Sequence, residues 1–385
     1  METFQINAEL LISLSFLEKM EITKEKVLDA LSNVIDPDLG KDLVTLNMIK
    51  DIEIDGKNVS FSVVLTTPAC PLKELIHNAC VNAIKHFVDK EAIVNAHMTS
   101  NVTTKQSSKA SIAGVRNFIA VASGKGGVGK STIAANLAVA LTMQGAKVGI
   151  LDADIYGPSV PIMFDVQNEK PGVRKVGEKS MMVPVESYGV KILSIGFFAE
   201  TNQAVAWRGP MATKALTQMF FDADWGELDY MIIDLPPGTG DIHLSLIQAV
   251  PLAGAVVVST PQDVALADAR KGIAMFQMPA INVPVLGLIE NMAWFTPEEL
   301  PENKYYIFGK DGAKKLAEQL NIPLLGQIPL VQSVREAGDA GRPAVLQENS
   351  PIAKALMDMA KNVAQQVAIR NATMAPTEKV EIART

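Results

Sequence analysis

The chain has 385 residues, of which 48% are hydrophobic and 20% are charged, a balance typical of a folded protein with two or three domains. The net charge is -7 at pH 7, which argues against a broad nucleic-acid-binding face and predicts no nucleic-acid partner. No apolar run reaches the roughly 18 residues that span a bilayer, so we expect no membrane partner. The two cysteines imply no disulfide framework, and a reducing cytoplasm is the expected location.

The chain begins with an extension, residues 1–21, and a small α+β domain is predicted over residues 22–97. The extension has a short apolar stretch but lacks the basic segment and the cleavage site of a signal peptide. In the domain, helical spacing covers Thr23–Val34 and an alternating pattern predicts a strand over Val59–Leu65. A helix with one apolar face is predicted from Leu72 to Phe87.

A polar stretch, residues 98–116, has no acids and little periodicity, which predicts a flexible linker. From Asn117 onward, short apolar runs of strand length alternate with helical stretches. Continuous apolar runs favour strands buried on both faces, and therefore an α/β fold with a mostly parallel sheet flanked by helices. We predict this domain over residues 117–370, with a last helix at Pro351–Ala368 and a frayed tail at 371–385.

The run from Gly124 to Thr132, GKGGVGKST, fits the pattern of a phosphate-binding loop between a strand and a helix. Glycines let successive backbone N–H groups turn inward, where they form an anion site with the helix N-terminus. Lys130 can reach the β- and γ-phosphates, and the Ser131 hydroxyl can ligate Mg²⁺. A glycine-rich turn that matches by chance is the alternative. The nucleotide-binding residues predicted in this run are Gly124, Lys125, Gly126, Gly127, Val128, Gly129, Lys130, Ser131 and Thr132.

Acidic residues follow two further predicted strands. Asp234 ends an apolar strand, where it can hold Mg²⁺ through water beside the phosphate loop. Asp154 closes a second strand and is a candidate for orienting the attacking water, with Asp152 in support. Downstream, Gly238 is expected to present a free N–H to a γ-phosphate. Each acid alone can instead cap a turn, but their joint occurrence predicts a catalytic site with Lys130.

A second lysine, Lys125, lies in the same loop as Lys130. A lysine at this position points away from the local phosphates, toward the open side of the loop. One interpretation is a solvated charge on a turn. The other is a catalytic lysine that reaches the nucleotide of a second subunit, as an arginine finger does in trans. The second interpretation predicts a homodimer that closes on ATP.

Together, GKGGVGKST, LDAD at 151–154 and DLPPGTGD at 234–241 resemble the deviant-Walker P-loop ATPases. Further segments, at 152–161, Trp207–Met211 and Ser259–Asp263, resemble the Mrp/NBP35 family of ApbC-like iron–sulfur carriers. Residues 22–97 are similar to the MIP18-like domain that is often fused to bacterial members of this family.

This resemblance implies an ATP- and Mg²⁺-dependent homodimer that carries iron–sulfur clusters to apoproteins or works with assembly factors. Lys125 corresponds to the signature lysine of the family, acting across the dimer interface. Asn291 matches an asparagine that contacts adenine in such proteins, and an ordinary strand-end amide is the alternative.

The cysteines depart from the family pattern. Members that carry a cluster have a Cys-x-x-Cys pair shortly after this asparagine, and two subunits share one cluster there. Residues 291–309 contain no cysteine. Cys70 is a possible iron–sulfur ligand, because the following Pro71 favours a helix start that puts Cys70 at the N-cap, where the helix dipole lowers a thiol pKa. The alternative for Cys70 is a small buried residue at a turn, and Cys80 is expected in the core.

Three functions remain open at this stage. The first is an ATPase that assists iron–sulfur cluster assembly or transfer. The second is a partitioning or positioning ATPase, which predicts a basic DNA face or a basic amphipathic C-terminal helix. The third is a nucleotide-gated chaperone without a cluster of its own, which the missing Cys-x-x-Cys motivates.

Overall fold

The fold is described from a computed structural model over residues 21–106, 112–155, 157–198, 209–297, 299–300 and 302–376. The chain divides into two compact units between Asn101 and Val102. Most of the predicted extension, the tail from 377 onward and the motif residues Trp207 and Arg208 lie outside the described residues. Across those ranges, no helix combines the length and the apolar character needed to cross a bilayer.

The first unit is a small α+β structure, as predicted. Its described sheet has the order β1 (Ile49–Asp55), β2 (Asn58–Leu65) and β3 (Ile93–Ser100), with β1 antiparallel and β3 parallel to β2. The helices are α1 (Lys24–Leu31) and α2 (Lys73–Phe87). Every second side chain of β2 is buried, which is why its sequence alternates, and these side chains join one core with residues of both helices.

The linker prediction is wrong at both ends. Strand β3 runs three residues into it, because Ser100 still pairs with β2. Beyond the strand, the Thr103 carbonyl accepts a hydrogen bond from the Asn117 amide at 3.0 Å, and the Thr104 hydroxyl donates to the Arg116 carbonyl at 2.5 Å. The next strand begins at Val115. Pairing and side-chain bonds therefore order residues that composition assigns to a flexible segment.

The second unit is built on a larger sheet, eight-stranded within the described residues. Its strands are β4 (Val115–Ser123), β5 (Val148–Asp152), β8 (Val185–Ser187), β9 (Val190–Ser194), β10 (Leu228–Asp234), β11 (Leu252–Ser259), β12 (Val285–Phe295) and β13 (Leu324–Leu330). The order is β13-β12-β11-β4-β10-β5-β9-β8, and every neighbouring pair is parallel except β8 with β9. A separate hairpin is formed by β6 (Gly172–Val176) and β7 (Lys179–Val183).

Helices connect these strands. They are α3 (Lys130–Met143), α4 (Val160–Met163), α5 (Gly209–Phe221), α6 (Asp241–Ala249), α7 (Asp263–Gln277), α8 (Gly312–Leu320), α9 (Gln332–Asp339) and α10 (Pro351–Thr373). All nine residues of β4 except Arg116 are buried, and α3 is buried over most of its length. The predicted α/β class, a mostly parallel sheet flanked by helices with a small α+β unit before it, is confirmed.

The C-terminal helix is longer than its pattern predicts. The Ser350 side chain caps α10 by accepting from the Ala353 N–H at 3.1 Å, and the helix continues to Thr373. Asn371 is buried and donates to the Thr103 carbonyl at 2.9 Å and to the Asn117 side chain at 3.0 Å. The prediction of a frayed tail from 371 is therefore wrong at its start, because this polar network holds the last turn.

Candidate functional site

The predicted phosphate loop connects the end of β4 to the start of α3. Gly127 and Gly129 have φ values of 82° and 83°, a left-handed conformation that favours glycine. A Cβ atom added at Gly126 or Gly127 meets nothing within 4 Å, so open space lies over this part of the loop. At Gly124 the reason for glycine is different, since a Cβ there would collide with the backbone of Asp268 in α7. The loop thus combines an open anion cradle with one tightly packed end.

Lys130, the first residue of α3, is held by two acids at the carboxyl edge of the sheet. Its Nζ atom lies 2.6 Å from Asp234 Oδ1 and 3.6 Å from Asp154 Oδ2, and it also donates to the Ser131 hydroxyl at 3.2 Å. The Lys130 side chain is only 6% exposed. The structure therefore brings together Lys130, Ser131 and Asp234, predicted to bind phosphate and Mg²⁺, and Asp154, predicted to orient the attacking water.

Asp234 is the most buried member of this group, with no exposed side-chain surface. Burial raises its pKa, while the Lys130 ammonium and the Ser131 hydroxyl oppose this rise. Its Oδ1 atom binds Lys130, but its Oδ2 atom is buried without a hydrogen-bond partner. A buried carboxylate oxygen without a partner is costly, and a hydrated cation is one group that removes that cost.

Asp152 lies next to Asp234 in register across β5 and β10. Burial, together with the neighbouring Asp234 charge, raises the pKa of Asp152 to about 7. Its carboxylate accepts from the Ser194 hydroxyl at 2.9 Å and from the Val160 and Asp154 backbone N–H groups, both at 3.2 Å. Asp152 therefore positions the segment that carries Asp154.

The free amide predicted at Gly238 is wrong for this structure. The Gly238 N–H donates to the Ser123 carbonyl at 2.9 Å, because the loop after β10 folds back along the end of β4 with φ of 94° at this glycine. Gly238 does lie beside the phosphate loop, but its N–H is already bonded.

Asn291, in β12, supports the phosphate loop from one side. Its Nδ2 atom donates to the Val128 carbonyl at 2.9 Å, and a Cβ atom at Gly129 would collide with it. Asn291 also lines a cavity of about 390 Å³, together with Gly129 and Thr132. A ligand whose phosphates lie in the loop can therefore extend into this cavity.

The far wall of this cavity lies outside the predicted site residues. The wall is formed at the end of β13 and along α9 by Pro329, Leu330, Val331, Val334, Arg335, Gly338 and Asp339. A usable signal was present, because β13 is another parallel strand whose carboxyl end lies at the same edge of the sheet.

His243, in the first turn of α6, is also not among the predicted site residues. It is 1% exposed, and its Nε2 atom has no hydrogen-bond partner. Burial, with a smaller contribution from the Lys130 charge, lowers its pKa to about 4. The imidazole is therefore neutral at pH 7, and no spacing rule in the sequence points to it.

Lys125 is half-buried, and within the described ranges its side chain makes no ion pair. Its carbonyl accepts from the Ser123 hydroxyl at 3.0 Å, which fixes the backbone at the start of the loop. This arrangement differs from that of Lys130, whose charge is fully engaged.

The prediction of a low pKa for Cys70 is wrong. Helix α2 begins at Lys73 with Leu72 as its N-cap, so Cys70 precedes the cap by two residues. Burial of the thiol raises its pKa, and the carboxylates of Asp38 and Asp36 add to the rise. Cys80 is fully buried, as expected, with its pKa raised to about 12 by burial. Among the described residues, no group of three or more His, Cys, Asp or Glu side chains is placed to hold a metal ion.

Comparisons with known proteins agree with this geometry. Residues 114–364 match the NUBPL iron-transfer P-loop NTPase family, and residues 24–98 match the iron-sulfur cluster assembly protein family. An iron-sulfur cluster carrier protein from Synechocystis is 47% identical over 90% of this chain and 99% of its own length. An iron-sulfur cluster transfer protein NUBPL from Dictyostelium discoideum is 42% identical over 81% of this chain and 95% of its own length.

A solved structure shares the fold of the second unit. It is the nucleotide-binding protein from Archaeoglobus fulgidus in complex with ADP, which is 39% identical and has a TM-score of 0.53 over 62% of this chain and 90% of its own length. The resemblance inferred from the sequence motifs is thus confirmed, and this chain belongs to the NUBPL iron-transfer P-loop NTPase family.

Proposed function

We propose that this protein binds and hydrolyses ATP, and that it assists the assembly of iron–sulfur clusters or their transfer to apoproteins as a nucleotide-gated dimer in the cytoplasm. The observation that carries the ATPase proposal is the position of Lys130 between Asp234 and Asp154 at the end of an open glycine cradle. The cluster is the cargo in this proposal, not a resident cofactor.

The residues fit a magnesium nucleotide. In the absence of phosphate, the two acids balance the Lys130 charge, and a bound phosphate chain offers Lys130 a stronger anionic partner. Asp234 then has both carboxylate oxygens available toward Mg²⁺, with the Ser131 hydroxyl nearby. Bound Mg²⁺ neutralises charge that develops on the phosphates.

Asp154 is proposed to orient the attacking water. Its side chain is 13% exposed, more than Asp234, so water reaches it from the open side. The backbone N–H of Asp154 is bonded to the Asp152 carboxylate, which fixes its position. Lys125 is proposed to complete the site of the opposite subunit, because its charge lacks a carboxylate partner within the described part of this chain.

The cavity beside the loop favours adenine as the base. The Asn291 Nδ2 atom must be the donor to the Val128 carbonyl, because a carbonyl oxygen only accepts. Asn291 lines the cavity, and we propose that its Oδ1 atom, which can only accept, faces the base bound there. The exocyclic amine of adenine is a donor at the position where guanine has an acceptor, so this arrangement selects ATP over GTP.

The cluster-related part of the proposal is supported by the relatives named as iron-sulfur cluster carrier and transfer proteins. Since residues 291–309 contain no cysteine, ligation falls to Cys70 or to a partner protein. A nucleotide-gated chaperone without its own cluster is the second candidate, and the raised pKa of the Cys70 thiol favours it.

Two lysine variants test the ATPase proposal. Lys130→Ala is expected to lose Mg–ATP binding by at least 10²-fold in calorimetry, because no other group neutralises the phosphates from inside the loop. Lys125→Ala is expected to keep binding but lose hydrolysis by about 10³-fold, as removal of a finger residue does. Lys179→Ala, on the exposed hairpin, is the control. Normal hydrolysis in Lys125→Ala would remove the dimer step from the proposal.

Cluster binding needs its own experiment. The full chain and its Cys70→Ala variant are reconstituted anaerobically with iron and sulfide, and the visible absorbance and bound iron are measured. Iron bound by the wild type and lost in Cys70→Ala assigns ligation to the first unit. If the wild type binds no iron, carriage by this chain alone is wrong and the chaperone candidate stands.

A further inference from the structure

A second cleft, of about 520 Å³, lies between α7 and α8 and shares no lining residue with the cavity beside the phosphate loop. Arg270 contributes a cation from α7, Lys315 contributes one from α8, and Lys310 contributes a third from the segment before α8. Among the described residues that line the cleft, one side chain, Asp263, carries a carboxylate. The cleft is therefore a cationic site on a chain whose net charge is -7.

Among the residues that the structure describes, these three cations have no acidic partner. Arg270 donates to the neutral Gln319 side chain at 2.7 Å, and the Lys310 ammonium lies 5.0 Å from the centre of the Tyr306 ring. No ion pair engages Arg270, Lys310 or Lys315 within the ranges that the structure describes. By contrast, the adjacent Lys271 pairs with Asp268 at 3.2 Å. The cleft therefore presents positive charge that is unbalanced from within the described chain.

Two helix N-termini meet at this cleft. Helix α7 starts beside Pro261 and α8 starts at Gly312, and both starts line the cleft. A Cβ atom at Gly312 would collide with the Pro261 carbonyl, so the two helix starts are packed against each other. Neither N-cap residue, Gln262 or Asp311, uses its side chain to cap its helix. The Ala313 N–H in the first turn of α8 already donates to the buried Glu290 carboxylate at 2.6 Å, and Asp263 lies in the first turn of α7. Acids therefore offset the two helix dipoles, and the positive charge of the cleft comes from its three cationic side chains.

An apolar edge borders the cationic surface. Phe308 lines the cleft, and the two residues before it are exposed, Tyr306 by 39% and Ile307 by 61%. Exposed aromatic and aliphatic side chains beside a polar cleft are typical of a protein contact. The matching occupant has carboxylates for the cleft and an apolar side chain for the edge.

We propose that this cleft docks an acidic peptide segment of a partner protein, with an apolar residue of that segment lying on Tyr306 and Ile307. The small number of cations and their concave arrangement favour this occupant over a nucleic acid. Strong non-specific binding of DNA uses about 6–10 phosphate contacts along a stripe, whereas three cations in a concave pocket suit a compact group of carboxylates. The proposal concerns a surface separate from the nucleotide site and does not depend on the proposed ATPase activity.

The test uses the full chain and a fluorescein-labelled short peptide of aspartate and glutamate with one central phenylalanine, followed by anisotropy. The wild type is expected to bind it, more weakly as salt rises. Lys315→Glu is expected to weaken binding about tenfold, because it replaces an attraction by a repulsion. Lys314→Glu is the matched control, since Lys314 is the exposed neighbour on the same helix but does not line the cleft.

Two further probes complete the experiment. A peptide with glutamine in place of every acid tests the charge requirement, and a short DNA duplex tests the alternative occupant. No binding of the acidic peptide, or equal loss in Lys314→Glu and Lys315→Glu, would overturn the proposal. Tighter binding of the duplex than of the peptide, lost in Lys315→Glu, would assign the cleft to nucleic acid instead.

Discussion

The phosphate loop and the Cys70 loop are two places where the sequence indicates chemistry, and the structure treats them differently. In the second unit, Lys130 meets Asp234 and Asp154 because β4, β5 and β10 are parallel and end at one edge of the sheet. In the first unit, the expected activation of Cys70 depends on one helix boundary, which lies two residues further along. The prediction of a site that is assembled from several strand ends tolerates errors in the predicted element boundaries. The prediction of a site that depends on one helix cap does not.

The electrostatics of the two places also differ. Burial raises the pKa of Asp234, but the Lys130 ammonium opposes this effect directly. At Cys70, burial and two nearby carboxylates act in the same direction, and the thiol stays protonated. Polar groups with compensating partners can do chemistry in a buried site, and a single thiol among acids is poorly suited to it.

The largest expected effect is a loss of stability at Gly124, where the phosphate loop packs against α7. Gly124→Ala pushes a Cβ atom into the Asp268 backbone and within 2.5 Å of the Ala269 nitrogen, so the loop or α7 must move. We expect a loss of about 3 kcal/mol in the free energy of unfolding, typical of overpacking against backbone. Chemical denaturation in the absence of nucleotide measures it.

Gly126→Ala is the matched control for this prediction. Its added Cβ atom meets nothing within 4 Å and its φ is not positive, so we expect a stability change below about 1 kcal/mol. Equal destabilisation by the two variants would mean that both glycines are needed for backbone conformation rather than for packing.

A smaller effect is expected in the pH dependence of stability, which tests the raised pKa of Asp152. The pKa of Asp152 in the folded state is about 7, above its ordinary value of 3.8. Between these two pH values, the folded state therefore keeps a proton on Asp152 that the unfolded state has lost. The free energy of unfolding therefore falls as pH rises from about 4 to about 7, by at most about 1.4 kcal/mol per pH unit from this group. Denaturation of wild type and Asp152→Asn across this range checks it, and an unchanged slope in the variant would contradict it.

The smallest effect concerns Cys70 itself. In a Cys80→Ala background, alkylation of Cys70 by iodoacetamide at pH 7 is expected to be slower than that of an unstructured cysteine peptide, because the raised pKa leaves less thiolate. Rates over a pH series give the pKa directly. Faster alkylation than in the peptide would restore the activated thiol that the sequence predicts.

Much of the second unit could be predicted, because its signals are redundant. Continuous apolar strands, a glycine-rich loop and strand-end acids all indicate one α/β edge, and the structure brings Lys130, Ser131, Asp154 and Asp234 together there. The bonded Gly238 amide could not be predicted, because its partner is a carbonyl 115 residues away in sequence. His243 was equally hidden, since tertiary packing alone brings it near the Lys130 charge.

Composition misled at the linker. A polar stretch without acids is typical of a flexible segment, yet its first three residues belong to β3, and side-chain hydrogen bonds hold Thr103 and Thr104. These bonds use the Asn117 amide and the Arg116 carbonyl, groups whose availability no local pattern reveals.

The network that joins Thr103 to Asn371 also sets an order of events during synthesis. The two residues are 268 positions apart, so at about 5–20 residues per second Asn371 is made roughly 13 to 54 s after Thr103. Through that interval the buried Asn117 side chain lacks the donor that Asn371 later supplies. The hydrogen-bond network beside the start of β4 can therefore form in full only after the last turn of α10 has been synthesised.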